Sequence, residues 1–322
     1  MNRREFVAAV AAAPFVLRSG GALARLAGGT PYVLVTADTE SHVAVVYLTT
    51  RKVVRRITTL AGPRSIESDR RGRFAVVAHT EHGAVSIVDG RTLKVRRVVK
   101  EFVQPRYTAF TPSGRHAFVT DSARGEVVTV DVVKGQIVGR GPVGGPARHL
   151  SLSPNGKTLW VSLGTKAAEI AVVDVSQPAA PRVRGRFRPP FLAHDVGFEP
   201  GGRRVWVTSG DRGALALYTV GGELLRRLAA DAPPQHVTFV GDRAHVTSGD
   251  DSSLRVHALR NAKVLRLTRV PVGSYNVQQG FGLVFTPSLQ RGTLCVLDER
   301  GRLVHQLRVA ASSHDACCVM AP

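Results

Sequence analysis

The chain has 322 residues, of which 43% are hydrophobic and 21% charged, and its formal net charge is +20 at pH 7. This composition is typical of a folded globular protein and excludes an intrinsically disordered chain. The three cysteines exclude a disulfide framework. The 32 glycines and 18 prolines, with only two methionines, favour many short strands joined by turns.

The N-terminus has the parts of an export signal. An arginine pair, Arg3 and Arg4, precedes an apolar run from residue 6 to residue 17, and the small residues Ala22 and Ala24 follow. The pattern resembles the twin-arginine export signature, which implies transport of a folded protein, in some cases with a cofactor already inserted. The apolar run has about a dozen residues, whereas a membrane span needs roughly 20.

We therefore expect residues 1–24 to be a cleaved twin-arginine-type signal peptide and residues 25–30 to be a short linker. The mature protein is then extracytoplasmic, either periplasmic or secreted, and has no transmembrane anchor. Its positive charge is spread along the chain without a zinc finger, a recognition helix or an RNA-binding aromatic motif. We expect a solvated basic surface and no specific nucleic-acid partner.

A repeated unit fills the rest of the chain. In one copy an apolar run is followed by the turn Pro112-Ser113-Gly114, a second run, a polar loop, and a third run that ends at Asp131. A further run that mixes β-branched and basic residues closes the unit. Four strands in about 40–44 residues are typical of a propeller blade. Units begin near Pro63, Pro105, Pro146, Pro190, Pro234 and Gly273.

The two ends of the repeat region are complementary. Residues 32–62 supply the later strands of a blade without its first strand, and residues 313–320 supply a first strand alone. Joined, they complete one blade and remove the open sheet edge that would otherwise favour aggregation. The sequence thus predicts an all-β, seven-bladed propeller of four-stranded antiparallel blades, a single domain over residues 31–322 that the C-terminal strand closes.

These turns and valine-rich strands resemble the YVTN family of β-propeller repeats, which is similar to WD40 propellers in architecture. The resemblance covers nearly all of the chain after residue 31 and implies the fold more strongly than any activity. Relatives with this repeat include propellers encoded beside quinoprotein oxidation systems. Seven-bladed propellers of similar sequence include lactonases, and others hold copper or haem at the channel mouth.

The first strand of every blade begins near one mouth of the central channel, so equivalent residues converge there. Alignment of the units places one polar column at Ser65, Tyr107, His149, Asp195, His236, Asn276 and Asp315. The preceding column is Arg64, Arg106, Arg148, His194, Gln235, Tyr275 and His314. Because successive residues of a strand point to opposite faces, we expect the two columns not to project equally into the mouth.

This polar mouth has three interpretations. A metal ion would use His149, His194, His236 and His314, with Asp195 or Asp315. An anionic ligand would be held by Arg64, Arg106 and Arg148. Alternatively, the polar side chains hydrogen-bond loop carbonyls in a wet channel. The candidate ligand-binding residues are Arg64, Arg106, Tyr107, Arg148, His149, His194, Asp195, His236, Tyr275, His314 and Asp315.

Other chemically capable residues are assigned structural roles. We expect Cys317 and Cys318 to be small buried hydrophobes on the closing strand, because neighbours on a strand face opposite ways. Trp160 and Trp206 occupy matching second-strand positions and are expected to pack between blades. The histidines expected on outer strands and loops are His79, His82, His116, His245, His257 and His305.

No catalytic motif accompanies the repeats: the sequence has no Gly-x-Ser-x-Gly elbow, phosphate-binding loop, His-Glu-x-x-His or haem-attachment motif. We therefore predict an exported, monomeric binding module for an unidentified small molecule or protein at the channel mouth, accessory to a periplasmic redox system. The alternative is a propeller enzyme, either a metal-dependent oxidoreductase or a lactonase-like hydrolase. The cofactor is undetermined, and a channel-mouth metal ion is one option.

Overall fold

A computed structural model describes residues 29–322. The predicted signal peptide and most of the predicted linker lie outside the described residues. From residue 29 onward the chain forms 28 β-strands and one short 3-10 helix at Thr80–His82. No helix in this part of the chain is long and apolar enough to cross a membrane.

The strands form seven antiparallel sheets of four strands each, numbered as blades 1–7. Blade 1 contains β1 (Thr30–Ala37), β2 (His42–Tyr47), β3 (Lys52–Thr58) and the last strand, β28 (Ser313–Ala321). Blade 2 contains β4 (Ile66–Ser68), β5 (Phe74–His79), β6 (Ala84–Asp89) and β7 (Lys94–Val99). Blade 3 contains β8 (Pro105–Phe110), β9 (His116–Asp121), β10 (Glu126–Asp131) and β11 (Gln136–Pro142). Blade 4 contains β12 (Ala147–Leu152), β13 (Thr158–Leu163), β14 (Ile170–Asp174) and β15 (Arg182–Phe187).

The remaining three sheets repeat the same order. Blade 5 contains β16 (Val196–Phe198), β17 (Arg204–Thr208), β18 (Ala214–Thr219) and β19 (Leu224–Ala229). Blade 6 contains β20 (Val237–Val240), β21 (Arg243–Ser248), β22 (Ser253–Ala258) and β23 (Val264–Arg269). Blade 7 contains β24 (Gln278–Gly280), β25 (Leu283–Pro287), β26 (Thr293–Asp298) and β27 (Leu303–Arg308).

The innermost strands contact one another in a closed cycle. Strand β4 contacts β8, the series continues through β12, β16, β20 and β24, and β28 then contacts both β24 and β4. Strand β28 pairs antiparallel with β1, with Leu34 opposite Cys317 and Val33 opposite Cys318. The predicted closure of the ring by the two chain ends is confirmed. The fold is a seven-bladed β-propeller.

The repeat sequence explains the shape of each blade. The second and third strands are buried on both faces, as in β5 and β6, whereas the outermost strands β3 and β19 are mostly exposed. The third strands of blades 2, 3, 4 and 7 end in Asp, whose carboxylate can accept hydrogen bonds from the next turn. Asp131 Oδ1 accepts hydrogen bonds from the backbone N–H groups of Val133 and Lys134 at 3.0 and 2.9 Å.

The apolar core lies between neighbouring blades. Trp160 of blade 4 is fully buried, and its ring centroid lies 5.8 Å from Phe198 and 5.9 Å from Tyr218 of blade 5. Trp206 of blade 5 likewise lies 6.2 Å from Phe239 of blade 6. The expected packing of both tryptophans between blades is confirmed, and this packing rigidifies the ring around the channel.

Candidate functional site

The two polar columns lie where the innermost strands begin. In blades 2, 5 and 6 the column residues precede the first strand, which starts at Ile66, Val196 and Val237. In blades 3 and 4 the strand pairing shifts register between Pro105 and Thr108 and between Ala147 and Leu150. Irregular backbone of this kind re-aims side chains near a site, so strict alternation between strand faces does not apply here.

A row of hydroxyl groups fixes the mouth in place. The Ser162 hydroxyl accepts a hydrogen bond from the backbone N–H of His149 at 3.2 Å and donates to the carbonyl of His194, in the next blade, at 3.0 Å. Thr120 joins the N–H of Tyr107 to the carbonyl of Arg148 in the same way, at 3.1 and 2.7 Å. Each hydroxyl therefore ties one column residue to the next blade.

The same bond pattern recurs around the ring. Thr36 joins Asp315 to Arg64, each at 3.0 Å, and Thr208 joins Asp195 to Gln235, at 3.0 and 2.5 Å. Blade 2 has Ala78 at this position, and there the Ser65 hydroxyl itself bonds the carbonyl of Arg106. Sequence reasoning missed these residues. The sequence signal that could have found them is a Ser or Thr in the second strand, directly after Val, as in Trp160-Val161-Ser162 and Trp206-Val207-Thr208.

Three of the four candidate histidines meet in one cluster, called here the histidine cluster: His149, His194 and His236, from blades 4, 5 and 6. One side-chain nitrogen from each lies within 4.8 Å of the others. The ring centroids of His149 and His194 are 4.3 Å apart, and that of His236 is 4.8 Å from His149. The expected separation of the two columns fails at His194, because this residue precedes its strand and its ring reaches the other column.

The surroundings of two of these rings, His149 and His194, disfavour their charged forms. Burial is the main cause for His149, and the charges that Arg148 and the neighbouring imidazoles would carry add to it, so the pKa of His149 lies well below its usual value. Burial also lowers the pKa of His194 to about 3, with His236 as the next contribution. A neutral imidazole presents a lone pair, which is the form that coordinates a metal ion.

Protein groups orient two of the three rings. His194 Nδ1 lies 3.1 Å from the carbonyl oxygen of Thr165, and His236 Nδ1 lies 3.3 Å from Asp195 Oδ2. Each contact places the ring proton on Nδ1 and leaves Nε2 with its lone pair. His149 is 1% exposed, and within the described part of the chain neither of its ring nitrogens has a well-formed hydrogen bond, although the backbone of His194 is close enough to raise its pKa slightly. An unpaired buried imidazole is costly unless something else binds it.

The fourth candidate histidine takes a different position. His314 Nδ1 lies 3.1 Å from the carbonyl oxygen of Arg64 and 3.0 Å from Asn276 Nδ2. Burial and the charge of Arg64 keep the pKa of His314 well below its usual value. Tyr275 also points elsewhere, since its hydroxyl donates to Asp250 Oδ1 at 2.7 Å. The structure therefore gathers three of the four predicted histidines and not the fourth.

A cavity of about 190 Å³ opens beside the histidine cluster, and His149 and His236 line part of it. Six residues of one predicted column line it: Tyr107, His149, Asp195, His236, Asn276 and Asp315. Two further polar lining residues, Glu67 and Gln278, were not predicted, although they lie two positions after the column residues Ser65 and Asn276. Gln278 Nε2 donates to Glu67 Oε2 at 3.4 Å. The cavity therefore presents carboxyl groups, of which Glu67 and Asp315 are called here the acidic layer, as well as the imidazoles of His149 and His236.

Burial raises the pKa of both carboxyl groups of this acidic layer. Burial raises the pKa of Glu67 to about 8, with a smaller contribution from Asp315. Burial likewise raises the pKa of Asp315 to about 7, against hydrogen bonds from the backbone N–H groups of Ile66 and Ala316. These groups exchange protons near neutral pH, which is the range useful for acid–base chemistry.

The arginines of the mouth differ in their partners. Arg64 forms an ion pair with Asp38, with Nη1 3.1 Å from Oδ2. Within residues 29–322, neither Arg106 nor Arg148 has a carboxylate within ion-pair distance. The Nε atoms of both are buried and have no hydrogen-bond partner among residues 29–322. The ring of Tyr107, which follows Arg106 in the chain, contacts the histidine cluster, with its centroid 4.2 Å from that of His149.

The expected placement on outer strands and loops is wrong for His79, His116, His245 and His257, because these residues lie on second and third strands of their blades. These histidines and the cysteines pack against the scaffold. His79 Nε2 lies 2.9 Å from Ser86 Oγ, and His257 Nδ1 lies 3.0 Å from the carbonyl oxygen of Ala262. Cys317 packs in the core between blades 1 and 2, whereas Cys318 packs against the core between blades 1 and 7. Burial raises the pKa of both thiols. The two cysteines face opposite ways, as expected.

Comparison with known proteins supports the fold. Over 131 residues the chain is 30% identical to the seven-bladed beta-propeller protein Rv1057 of Mycobacterium tuberculosis, a match that covers 39% of this chain. The match spans about a third of the length of that curated relative (33%). No protein-family model matches the chain.

Solved structures share the architecture at low identity. Apo AztD from Citrobacter koseri superposes with a TM-score of 0.70 at 12% identity, over 90% of this chain and 98% of that one. Hydrazine synthase of Kuenenia stuttgartiensis superposes with a TM-score of 0.67 at 17% identity, over 80% of this chain and 91% of that one. The dihydro-heme d1 dehydrogenase NirN in complex with DHE superposes with a TM-score of 0.64 at 16% identity, over 86% of this chain and 63% of that one. Similarity at this level of identity indicates the fold and not the function.

Proposed function

We propose that this protein is an exported binding propeller that holds a transition-metal ion at its channel mouth through His149, His194 and His236. One observation carries the proposal: three imidazoles from three successive blades place a nitrogen each within 4.8 Å of the others. Among the described residues the buried ring of His149 has no well-formed hydrogen bond, and a bound metal ion would compensate the cost of its burial. His194 and His236 each have an orienting oxygen on Nδ1, as metal-bound histidines usually do.

The donor set selects the class of metal. Imidazole nitrogens suit Zn²⁺ and Cu²⁺, whereas Mg²⁺ and Ca²⁺ prefer oxygen ligands. An ion bound at about 2.0–2.1 Å from each nitrogen would require the imidazole nitrogens, now up to 4.8 Å apart, to move closer together. We expect side-chain rotations to provide this movement. Three protein ligands leave a further coordination position open. The cavity of about 190 Å³ gives a small ligand room to reach that position.

Export is the second part of the proposal. Arg3 and Arg4, the apolar run after them and the small residues at Ala22 and Ala24 support a twin-arginine route to an extracytoplasmic location. That route carries folded proteins, which is compatible with a protein that acquires its metal ion before export. We propose that the mature protein is a monomer that serves a periplasmic redox system by binding metal or a metal-bound small molecule.

An enzyme is the second candidate function, and the acidic layer favours it. The cavity beside the histidine cluster is lined by Glu67 and Asp315. Burial raises the pKa of Glu67 to about 8 and that of Asp315 to about 7. A carboxyl group poised near neutral pH beside a metal ion is suited to general acid–base catalysis, as in a metal-dependent hydrolase or oxidoreductase. Turnover of a lactone or ester panel that the Glu67→Gln substitution abolishes would favour this candidate over pure binding.

Metal titration of the purified mature protein tests the main proposal. We expect chelator-treated protein to bind one Zn²⁺ or Cu²⁺ per chain in competition with a chromophoric chelator. We expect it not to bind Mg²⁺ under the same conditions. His149→Ala and His236→Ala should each weaken binding by more than about tenfold, because each removes one of three ligands. His305→Ala, on the outermost strand of blade 7, is the matched control and should bind like the parent. A parent protein without stoichiometric binding would refute the proposal.

A further inference from the structure

The mouth carries two guanidinium groups that the histidine cluster does not use. Arg106 and Arg148 belong to adjacent blades, on β8 and β12, and each lies where the strand pairing shifts register. The Thr120 hydroxyl accepts a hydrogen bond from the N–H of Tyr107 and donates to the carbonyl of Arg148. The Ser65 hydroxyl bonds the carbonyl of Arg106. The backbone therefore holds both arginines in fixed positions.

Their charges lack a counter-ion within the described part of the chain. Arg64, the third arginine of this column, is neutralised by Asp38 at 3.1 Å. Between residues 29 and 322, no ion pair or side-chain hydrogen bond engages the guanidinium of Arg106 or of Arg148, and the Nε atom of each is buried without a partner. A half-buried guanidinium without a partner loses hydration and gains nothing in return.

The electrostatics agree with this geometry. The pKa of Arg106 is lowered by burial first, then by the charges of Arg148 and Arg64, and only Tyr107 and Glu81 act in the other direction. Burial is also the main cause of the lowered pKa of Arg148. Crowding of like charges in a recess is favourable only when an anion of opposite charge joins them.

From this arrangement we infer that Arg106 and Arg148 form an oxyanion-binding site at the channel mouth, beside the histidine cluster. The guanidinium fork matches the two oxygens of a carboxylate or phosphate group, and two forks from adjacent blades suit a small dianion. The ligand is therefore a small organic acid or a phosphate, and not a neutral sugar or an apolar molecule. The two guanidinium groups form this site, and the proposed metal ion is not required for it.

Titration with small anions tests the inference on chelator-treated mature protein at low ionic strength. Phosphate and malonate are the two probes, in separate experiments, and chloride at equal ionic strength is the control for screening. We expect at least one probe to bind saturably by calorimetry and to raise the melting temperature, as a ligand of the native state does. The probe that binds more tightly identifies the chemical class of the ligand, phosphate or carboxylate. Failure of both probes would overturn the inference.

Substitutions locate the site and separate it from the metal. Arg106→Gln and Arg148→Gln should each weaken probe binding by about tenfold or more, and Arg148→Lys should weaken it less, because it keeps the charge and loses the fork. Arg227→Gln, on the exposed strand β19, is the matched control. His149→Ala should keep anion binding even if it loses metal binding. Variants with parental melting temperatures and unchanged probe affinity would contradict the assignment.

Discussion

Asp195 and His236 face each other across the boundary between blades 5 and 6, with Asp195 Oδ2 3.3 Å from His236 Nδ1. The same carboxylate oxygen accepts a hydrogen bond from the backbone N–H of Val237 at 3.2 Å. Asp195 thus connects the start of one innermost strand to the start of the next and directs the Nε2 atom of His236 away from itself. In the proposed metal site Asp195 is a positioning residue and not a ligand.

Replacement of Asp195 tests this positioning role. We expect Asp195→Asn to weaken Zn²⁺ or Cu²⁺ binding by about 10–100-fold, the usual effect of losing an outer-shell partner of a ligating histidine. Competition with a chromophoric chelator measures the change. Asp242→Asn, whose side chain is 77% exposed, is the matched control. Parental metal affinity in a folded Asp195→Asn protein would exclude the positioning role.

The hydroxyl row predicts a stability effect that is local to the site. Ser162→Ala removes the group that pairs the N–H of His149 with the carbonyl of His194. Loss of this buried partner should lower the free energy of unfolding by about 1–3 kcal/mol and weaken metal binding as well. Chemical denaturation measures the first effect, with the exposed Ser41→Ala as control. Equal stability of the two variants would show that the row is dispensable.

Ring closure predicts a global effect. Deletion of residues 313–322 removes β28, exposes the edge of β1 and opens the apolar cores on both sides of blade 1. We expect aggregation or a melting temperature lowered by more than about 10 °C, because unpaired edges and exposed cores are both unfavourable. Deletion of Pro322 alone, which lies after β28, should have no effect. An unchanged melting temperature of the longer deletion would contradict closure by this strand.

Glu67 predicts a pH-dependent stability difference. Burial raises its pKa from 4.5 to about 8, so the folded state keeps the proton while the unfolded chain loses it. The stability that this group contributes is present below pH 4.5 and is lost as the pH rises through about 8. Glu67→Gln stays neutral in both states. Its melting temperature relative to the parent should therefore rise by several degrees between pH about 5 and about 9.

The control for the pH experiment is Glu223→Gln, an exposed position in blade 5. Its difference from the parent should stay constant over the same pH range. A constant difference for Glu67→Gln as well would mean that Glu67 ionises normally in the channel, and would remove the acid–base argument for the enzyme candidate.

Export is tested on the intact precursor. Replacement of Arg3 and Arg4 by lysine keeps the positive charge and removes the arginine pair that the twin-arginine route recognises. We expect the double variant to accumulate in the cytoplasm with residues 1–24 uncleaved, as measured by fractionation and mass spectrometry. Normal export of the double variant would point to the general secretory route instead.

The number of blades, the order of strands within each blade and closure by residues 313–320 could all be predicted from the amino-acid sequence, because they follow from local patterns. Turn residues such as Pro112 and Gly114 and the apolar runs act over a few positions and repeat around the chain. The same alignment predicted that the two polar columns lie where the innermost strands begin, and the structure has them there.

Which of those residues come into contact depends on the three-dimensional structure. His194 joins His149 and His236 because its backbone precedes the regular strand, whereas His314 is held by Asn276 and the Arg64 carbonyl. Side-chain direction at such positions depends on irregular backbone and on partners in the neighbouring blade, more than 25 residues away in sequence. Contacts between blades also decide that Arg64 pairs with Asp38. Among residues 29–322, Arg106 and Arg148 have no carboxylate at ion-pair distance.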